Sequence, residues 1–418
     1  MSHTAEIIAV GTELLLGSIA NTNAQEISEA LNGLGINVYY HTVVGDNPQR
    51  LREVLETARR RADILITTGG LGPTYDDLTK ETICEVFGQT LELHQDIVED
   101  IRVFYESALH VPMPENNVAQ GYLPVGCTVF DNPVGTAPGC AFEAEGTHVL
   151  MLPGPPHEMR TMLRRRAVPY LRALSAETIV SHDLMLFGIG ESSVDALLRE
   201  KMSQMENPSL ATYAKPAEVC LRAAAKAESP DAAEAMLTPV LAESKALLGD
   251  VVYGQDVSSL EEVCFALLKE RAWTFAAAES CTGGLVAERI TALPGSSAVF
   301  RGGVVSYWSE VKADVLGVPQ EILDTYGAVS SQCAKAMAEG VRRITGAQIA
   351  VSVTGVAGPD SDERGNPVGR VYIGLATPTG TFCRETEQGK RRRDRIRQMS
   401  ANHAYDMMRR YLTGLPVE

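Results

Sequence analysis

The sequence predicts an α/β protein made of three consecutive parts. Two long segments, 1–172 and 258–418, alternate apolar strands with single amphipathic helices, which is typical of parallel-rich sheets covered on both faces. The segment between them, 173–253, has strands and helices but no cluster of catalytic side chains, which predicts a small α+β module. A chain of 418 residues is too long for one ordinary core, so several domains are expected.

The first segment predicts a three-layer arrangement, in which helices cover both faces of one sheet. An Asn or Thr can cap its first helix, and Gly35 can end that helix. The predicted strands are EIIAVG, INVYYHTVV and DILITTGG, and the predicted helices are NTNAQEISEALNGLG, PQRLREVLETARRRA, the stretch around 94–109, and EMRTMLRRRAVPYL.

The remaining elements are predicted by the same patterns. In the middle segment the strands are ETIVSHDLMLFG and EVCLRAAAKA, and the helices are SSVDALLREKM and 231–248. The stretch GQDVS, 254–258, is predicted to be a linker, so a fragment 255–418 is expected to fold alone. The last segment alternates the helices SSLEEVCFALLKERA, LVAERITAL and SQCAKAMAEGVRRI with the strands WTFAAAES, GGVVSY, QIAVSVTG and RVYIGLATP.

Composition restricts the class of partner. With 37 basic against 53 acidic residues, the net charge of −16 argues against a nucleic-acid groove or an anionic membrane surface. No signal peptide opens the chain and no apolar run reaches membrane length, so we expect a cytoplasmic protein. The eight cysteines are scattered without a C-x-x-C pair, which favours reduced thiols over a disulfide framework or a zinc site.

The stretch AESCTGG, residues 278–284, joins an apolar strand to a helix. Such a turn offers free N–H groups and the positive end of a helix dipole to a phosphate or an oxyanion. Ser280 could be a helix cap, a phosphate ligand or a nucleophile. A nucleophilic serine needs a base, and the segment contains a single histidine, His403, which is distant in sequence. Lys312 is the better candidate if burial lowers its pKa, although a lone lysine is usually a solvated charge.

Lys312 lies in a second loop region, SYWSEVKADVLGV, where a strand is predicted to end at Tyr307 and a helix to begin at about Ser309. A third loop, VTGVAGPDSDERGNPVG, places Thr354 and Gly355 at the end of an apolar strand, where open α/β sheets bind ligands. Each of these turns alone could serve only to cap a helix. Three hydroxyl- and glycine-rich turns at the ends of three strands favour a binding site, because capping one helix does not require the other two turns. The motifs ESCTGG, SYxxxVKxxxLGV and VTGxAGP, in this order and spacing, resemble the C-terminal domain of the CinA family. That domain is similar to nicotinamide-mononucleotide deamidase.

The resemblance implies hydrolysis of nicotinamide mononucleotide to nicotinate mononucleotide and ammonia, without a cofactor. Ser280 would attack the carboxamide, Lys312 would be the base, and N–H groups of the turn 282–284 would stabilise the oxyanion. Cys281 is a rival nucleophile, because a helix N-terminus lowers a thiol pKa. Ser309 stands where the family pattern has Asn. The implied catalytic residues are Ser280, Lys312, Tyr307 and Thr354, and the implied substrate-binding residues are Thr282, Gly283, Gly284, Gly355, Arg393 and Arg397.

The two arginines belong to a basic stretch, GKRRRDRIRQM, that opens the predicted last helix. Arg393 and Arg397 are four residues apart and would share one face of that helix. They could meet a substrate phosphate or a neighbouring subunit, whereas a charge run of this kind is otherwise a solvated face.

The stretch TTGGLGPTYDDLT, 67–79, follows an apolar strand and enters a helix. Its glycines can present backbone donors to phosphate, and its aspartates can hold a divalent cation that bridges phosphate oxygens. Asp77 could equally cap the following helix. Glu13 stands in another turn of this segment, in VGTELLLG. The predicted phosphate-binding glycines are Gly69, Gly70 and Gly72, and the aspartates that can hold the cation are Asp76 and Asp77. Asp46 in VVGDN and Glu158 in LPGPPHEM stand in two further turns of this segment.

These motifs, in their order along 4–172, resemble the MoaB/Mog-type molybdopterin-binding fold in the version found at the front of CinA proteins. The stretches FGIGESSVD and TYAKPAEVCLRAA are similar to the family's KH-like module. The resemblance implies metal-dependent cleavage of ADP-ribose at its pyrophosphate, with Asp46, Asp76, Asp77 and Glu158 as ligands of a metal of unknown identity. It also implies a homodimer. Two other classes stay open: an interaction protein in DNA uptake or damage, which the acidic composition disfavours, and pterin binding without catalysis.

Overall fold

The computed structural model describes residues 3–174 and 178–417, and it has the α/β architecture that the sequence predicts. The chain forms two compact units, Met1–Val180 with Ala225–Met236, and Ser181–Ala224 with Leu237–Glu418. None of the helices in the described part of the chain combines the length and apolarity that a membrane span requires. All eight cysteines are free thiols.

The first unit is built around a six-stranded sheet. Its strands are β1 (Thr4–Val10), β2 (Asn37–Val44), β3 (Ile64–Thr68), β6 (Thr128–Phe130), β7 (Gly139–Ala144) and β8 (Thr147–Leu152), and β4 (Leu91–Leu93) pairs separately with β5 (Tyr122–Pro124). The order is β2-β1-β3-β8-β7-β6, with β2, β1, β3 and β8 parallel. The helices are α1 (Thr12–Leu15), α2 (Thr22–Asn32), α3 (Pro48–Ala58), α4 (Thr79–Val86), α5 (Gln95–Phe104), α6 (Pro156–Met162) and α7 (Val168–Leu174).

Two apolar cores cover the two faces of this sheet, because successive strand residues point to opposite sides. On one face Ile8 and Leu65 pack in a cluster with Leu55 of α3. On the other face Ile7 packs in a cluster with Ile27 of α2. The predicted three-layer arrangement is therefore present.

The sheet also contains antiparallel strands that the sequence did not predict. Strands β7 and β8 form a hairpin whose turn residues, Glu145 and Gly146, have φ values of 51° and 77°. Two positive φ angles in succession are the mark of a type I′ turn, which suits the twist of paired strands. The predicted long helix at 94–109 is also divided, since α5 ends at Phe104 and a π-helical turn, Tyr105–Leu109, continues it.

The middle segment forms a four-stranded sheet with two helices. The elements are β9 (Thr178–Leu186), α8 (Glu191–Gln204), β10 (Ser209–Lys215), β11 (Glu218–Ala227), α9 (Pro230–Leu248) and β12 (Val252–Gln255), and the strand order is β10-β11-β9-β12. The first residue of the predicted strand ETIVSHDLMLFG, Glu177, lies outside the described residues.

The predicted linker at 254–258 is wrong. Gly254 and Gln255 belong to β12, which pairs with β9. The next residue, Asp256, donates its N–H to the carbonyl of Asp183 and accepts the N–H of Asp183 on its carboxylate, both at 2.8 Å. This stretch is therefore bonded along the sheet.

The last segment contains a five-stranded sheet. Its strands are β13 (Phe275–Glu279), β14 (Phe300–Val305), β15 (Ile349–Gly355), β16 (Arg370–Thr377) and β17 (Gly380–Glu387) in the order β14-β13-β15-β16-β17. The helices are α10 (Leu260–Glu270), α11 (Leu285–Thr291), α12 (Ser309–Asp314), α13 (Gln320–Thr325), α14 (Ser331–Thr345) and α15 (Arg393–Thr413). Because β13 is parallel to both β14 and β15, the loops after these three strands meet at one edge of the sheet.

The second unit has a core that includes side chains from before residue 255. Met185, Phe187, Cys220 and Tyr253 belong to the same buried cluster as residues of α10 and α15. A fragment 255–418 loses all four, and each buried side chain of the size of Phe contributes about 1.5–3 kcal/mol. We expect this fragment to melt well below the full chain while it still contains the candidate serine and lysine.

Thermal unfolding of the fragment, and of the full chain carrying Phe187→Ala, measures this contribution. The Phe187 substitution is expected to cost about 3–5 kcal/mol because it leaves a cavity. Leu197→Ala, at a side chain that is 52% exposed, is the control and should change little. Unchanged melting of both the fragment and the Phe187 variant would contradict a shared core.

Candidate active sites

Three loops of the second unit line one cavity of about 250 Å³. Ser280 follows β13, Tyr307 and Lys312 follow β14, and Thr354 and Gly355 end β15. The structure therefore brings together the residues that the sequence placed at three strand ends.

Ser280 and Lys312 are in hydrogen-bond contact, with 3.1 Å between the serine Oγ and the lysine Nζ. Lys312 is 1% exposed, and its Nζ lies 2.5 Å from the carbonyl oxygen of Ser306 and 3.5 Å from that of Tyr307. Within the described part of the chain, no carboxylate lies within 4.0 Å of this amine. Burial lowers the pKa of Lys312, because a charged ammonium is poorly solvated there.

This arrangement suits a neutral amine. Two N–H groups of the amine can donate to the two carbonyl oxygens, and its lone pair can then accept the hydroxyl proton of Ser280. A lysine in this state is a general base for an adjacent serine.

Cys281 also lines the cavity, but its thiol is a weak nucleophile there. The side chain is 5% exposed, and burial raises the pKa of Cys281 to about 12. The thiol therefore stays protonated at neutral pH, and the effect of burial outweighs that of the helix N-terminus. The geometry favours Ser280 as the nucleophile.

The anion that occupies the AESCTGG turn is the chain's own Glu279. Its carboxylate is 2% exposed and accepts the backbone N–H groups of Gly284, Val286 and Ala287 at 2.9–3.0 Å. The N–H of Gly283 donates to the carbonyl of Ser280 at 3.0 Å. Two of the three N–H groups predicted to bind the oxyanion are thus engaged, and that part of the prediction is wrong.

Substituting Glu279 with Gln tests this cap. An amide presents a donor to at least one of the three N–H groups, so buried donors lose their acceptor, at about 1–3 kcal/mol each. We expect a lower melting temperature and a lower kcat for ammonia release, because the turn that carries Ser280 is loosened. Glu288→Gln, on the exposed side of α11, is the control, and equal melting of the two variants would contradict the role of Glu279.

The other predicted residues of this site fall into two groups. Arg393 lines the cavity and donates to the Tyr307 hydroxyl at 2.8 Å and to the Gly358 carbonyl at 2.7 Å. Arg397 points toward the AESCTGG turn, where it donates twice to the carbonyl of Thr282, at 2.6 and 3.1 Å. The described residues that line the cavity do not include Thr282, Gly283, Gly284 and Arg397. The first three form the turn after Ser280, and Arg397 holds that turn through the Thr282 carbonyl.

The loop after β15 adds residues that sequence reasoning did not single out. Asp360, Ser361 and Asp362 line the cavity. The Asp362 carboxylate orders the loop by accepting the backbone N–H groups of Arg364 and Asn366 at 3.1 and 2.7 Å. The Thr354 hydroxyl donates to the Ala328 carbonyl at 2.7 Å, which fixes the end of β15. An Asp-rich, Gly-containing loop after an apolar strand was the available signal.

A second candidate site lies in the first unit, at the carboxyl ends of β1, β3 and β8. It is a cavity of about 560 Å³, and all seven predicted residues of this segment line it: Asp46, Gly69, Gly70, Gly72, Asp76, Asp77 and Glu158, together with Glu13. We call it the carboxylate–glycine cavity.

The first two glycines of the loop occupy positions that no other residue fits. Gly69 has a φ of 105°, and a Cβ there would lie 2.1 Å from the carbonyl oxygen of Val10. Gly70 has a φ of 68°, and its Cβ would lie 2.0 Å from the Thr79 hydroxyl. These glycines therefore let the loop pack closely against β1 and α4. The N–H of Gly69, one of the predicted phosphate donors, is engaged with the carbonyl of Leu152 at 3.1 Å.

The carboxylates are held by neighbouring groups. Asp77 accepts the N–H of Thr74 at 3.0 Å. The single hydroxyl hydrogen of Thr74 is shared between Asp76 and Asp77, each of which has an oxygen 2.5 Å from that hydroxyl. Helix α4 has Leu78 at its N-cap position without a side-chain cap, so the alternative role of Asp77 as a cap is wrong. Asp46 accepts from the N–H and hydroxyl of Thr12 at 2.9 and 2.7 Å. Burial raises the pKa of Glu158.

The donor set fits a divalent cation that arrives with a phosphate ligand. Within the described residues, no group of three or more His, Cys, Asp or Glu side chains is arranged to hold a metal ion. Mg²⁺, however, is usually bound through one or two carboxylates plus substrate phosphates and water. Asp76 and Asp77 share the Thr74 hydroxyl and are the adjacent pair, whereas Asp46 is bonded to Thr12 and Glu158 to Asn132.

The fold and the two sites define a multidomain α/β protein with a buried Ser–Lys pair in one sheet and a glycine loop with carboxylates in another. Family models match along the chain: "CinA C-terminal domain" at 257–412, "Probable molybdopterin binding domain" at 6–173, and "Damage-inducible protein CinA KH domain" at 181–254. The chain belongs to the CinA family.

Relatives match over nearly the whole length. A protein from Acetivibrio thermocellus, named for competence and damage induction, is 48% identical over 98% of this chain and 99% of its own. A "CinA-like protein" from Dictyoglomus turgidum is 45% identical over 98% and 99%. The crystal structure of competence/damage inducible protein CihA from Agrobacterium tumefaciens is 37% identical and covers 38% of this chain and 97% of its own, with a TM-score of 0.36.

Proposed function

We propose that the second unit is an amidohydrolase that converts nicotinamide mononucleotide to nicotinate mononucleotide and ammonia. The observation that carries the proposal is the contact of 3.1 Å between the Nζ of the buried Lys312 and the Oγ of Ser280. Among the described residues, no carboxylate lies within 4.0 Å of this amine. Lysine paired with serine in this way is one of the known arrangements for acyl transfer.

The reaction proceeds through an acyl-enzyme. Ser280 Oγ attacks the carboxamide carbon while its proton passes to Lys312. The C–N bond then breaks and Lys312 returns the proton, so that ammonia leaves and an ester on Ser280 remains. Water attacks this ester, Lys312 takes a water proton and passes it to the leaving Ser280 oxygen, and nicotinate mononucleotide is released.

Oxyanion stabilisation is assigned to the beginning of the turn. We assign the backbone N–H of Cys281, which lines the cavity, whereas the N–H groups of Gly283 and Gly284 are engaged elsewhere. This donor directly follows the nucleophile, as oxyanion donors do in many acyl-transfer enzymes. The carbonyl of Thr282 is held by Arg397, which supports the orientation of this segment.

The size of the cavity and one cation on its lining support the proposed substrate. Its volume of about 250 Å³ is below that of pockets that enclose drug-sized molecules, about 300–1,000 Å³, so it takes the carboxamide ring. Arg393 lines the same cavity and carries the charge that a phosphate requires.

Ammonia release from nicotinamide mononucleotide by the purified full chain tests the proposal. Release of one ammonia per nicotinate mononucleotide formed is the expected result. Absence of ammonia would favour the two rival classes, an interaction protein and a pterin-binding protein.

The pH profile provides an independent prediction. Because the neutral form of Lys312 is the base, kcat/KM is expected to rise with pH as the lysine loses its proton. Burial lowers the pKa of Lys312, so the profile should reach its plateau below the ordinary lysine value of about 10.4. A rising limb centred at or above that value would contradict a neutral lysine at neutral pH.

We also propose that the first unit hydrolyses ADP-ribose with a divalent metal. A water oxygen bonds to one phosphorus and the bridging P–O bond breaks, which gives AMP and ribose 5-phosphate. The supporting observation is the glycine loop and the Asp76–Asp77 pair on one cavity wall. The metal would neutralise the phosphate oxygens, and the loop N–H groups would orient them.

A further inference from the structure

Buried oxygen atoms without a hydrogen-bond donor gather around the glycine loop of the first unit. Among the described residues, Oδ1 of Asn23, Oγ1 of Thr79 and Oε1 of Gln120 have no partner, and the three side chains are 8%, 1% and 1% exposed. A Cβ on Gly70 would lie 2.0 Å from the Thr79 hydroxyl. Asn23 donates to the carbonyl of Gly154, which lines the carboxylate–glycine cavity. Buried polar groups are nearly always hydrogen-bonded, so three unpaired oxygens beside one loop indicate that this region binds a hydrogen-bond donor.

Gln120 is the one of the three that lines the carboxylate–glycine cavity itself, and its backbone is held by a buried amine. Lys80 is 3% exposed, and its Nζ donates to the carbonyl of Gln120 at 3.3 Å. The same amine donates to the carbonyls of Ala119 and Tyr122, each at 3.0 Å. Lys80 belongs to α4, the helix that directly follows Asp76 and Asp77. Gln120 is therefore fixed to the helix that begins beside the predicted metal ligands.

Water is the hydrogen-bond donor that suits the Gln120 oxygen. The carboxylates of the cavity, such as Asp76 and Asp77, accept hydrogen bonds and do not donate them, and phosphate esters are acceptors as well. A water molecule can donate one hydrogen to Oε1 of Gln120 while its lone pair faces a phosphorus atom. Glutamine amides orient attacking water in this way in other phosphoryl-transfer enzymes. The buried oxygen of Gln120 therefore has the chemistry of a group that positions water.

We infer that the Gln120 amide oxygen positions the water that attacks the pyrophosphate in the first unit. This inference rests on the proposed hydrolysis of ADP-ribose and assigns a further residue to that reaction. Oε1 accepts a hydrogen bond from the water, whose oxygen bonds to phosphorus while the bridging P–O bond breaks. The leaving phosphate keeps the bridging oxygen with its electron pair. The proton that the water loses passes to a carboxylate of the cavity and then to solvent.

Replacing Gln120 with Met in the full chain, at fixed Mg²⁺, tests this role, because Met has a similar volume and no amide. The kcat for ADP-ribose hydrolysis should fall at least about a hundredfold, since the water is no longer oriented. KM should stay within about threefold, because the residue contacts the water rather than the substrate. The melting temperature should equal or exceed that of the wild type, since the substitution removes a buried oxygen that has no partner.

Asn117→Leu is the matched control, in the same turn, Glu115–Gly121. Asn117 is 2% exposed and, unlike the Gln120 oxygen, its amide is satisfied. It accepts from the Tyr105 hydroxyl and donates to the Pro114 carbonyl, both at 3.2 Å. This variant should melt below the wild type, because these groups lose their partners, and it should keep the wild-type kcat. The two variants thus separate a side chain that supports the fold from one that serves the reaction.

The outcomes separate this inference from the hydrolytic proposal. If the wild type cleaves ADP-ribose and Gln120→Met keeps its kcat, the inference alone is overturned. A raised KM at unchanged kcat would assign the amide to a substrate hydroxyl, and melting as low as that of Asn117→Leu would assign it to the fold; either result overturns the inference. If the wild type does not cleave ADP-ribose, the hydrolytic proposal fails and the inference fails with it.

Discussion

Alanine at Ser280 or at Lys312 is expected to lower kcat for ammonia release from nicotinamide mononucleotide by at least about a thousandfold. Ser280→Ala removes the atom that bonds to the carboxamide carbon. Lys312→Ala removes the base that lies 3.1 Å from it. Because the two groups act as one unit, the double variant should cost little more than either single variant, and this non-additivity is the sharpest signature of a dyad.

The controls address folding and the rival nucleophile. Lys312 is buried, so Lys312→Met is measured beside Lys312→Ala to keep the volume, and thermal unfolding checks both. Lys269→Ala, at an exposed lysine of α10, should leave the rate unchanged. Cys281→Ala should cost little, since its thiol is protonated at neutral pH. Robust turnover by Ser280→Ala, or collapse in Cys281→Ala, would contradict the assignment of the nucleophile.

The sequence predicted the strands that are buried on both faces, because such strands are continuous apolar runs. Strands β3 and β13 are examples, with every residue buried. It did not predict β17, an edge strand that reads GTFCRETE and carries more polar than apolar residues. Its place at the edge depends on pairing with β16, which no local pattern in the sequence specifies.

The candidate sites show the same division. Residues that directly follow parallel strands, such as Ser280 and Thr354, could be predicted to meet, because the topology brings those strand ends together. Contacts between distant residues could not be predicted: Arg397 holds the carbonyl of Thr282 from 115 positions away. Glu279 belongs to the AESCTGG motif, but its role as the cap of α11 depends on the angle at which the chain leaves β13.

This use of Glu279 changes how the nucleophile turn is understood. A free helix N-terminus would attract the substrate phosphate and compete with productive binding of the carboxamide. With Glu279 satisfying three N–H groups, the helix end is filled, and Arg393 is the cation left on the cavity lining beside the buried Lys312. In the proposed reaction, Arg393 would then bind the phosphate, while Ser280 and Lys312 act on the carboxamide.

Asn at Asp77 is expected to abolish ADP-ribose hydrolysis while ammonia release stays at the wild-type rate. The Asn side chain keeps an oxygen that can accept from Thr74, so the loop geometry is retained. The negative charge that the carboxylate would offer to a metal is lost. These carboxylates would hold the metal that neutralises the phosphate oxygens, so loss of one costs activity that added metal restores only in part. Asp46→Asn should weaken the activity less, since Asp46 is bonded to Thr12 and does not share the Thr74 hydroxyl with the adjacent pair.

The measurement is a titration of ADP-ribose hydrolysis against Mg²⁺ for the wild type, Asp77→Asn and the exposed control Glu56→Gln. The control should follow the wild-type curve, and chelator should remove the activity of all three. Full hydrolysis in the presence of chelator, or an unchanged Mg²⁺ dependence in Asp77→Asn, would contradict the metal role of this pair. Asp77 and Ser280 belong to different compact units, so the substitution is expected to leave ammonia release unchanged. Parallel loss of ammonia release in Asp77→Asn would contradict this independence of the two sites.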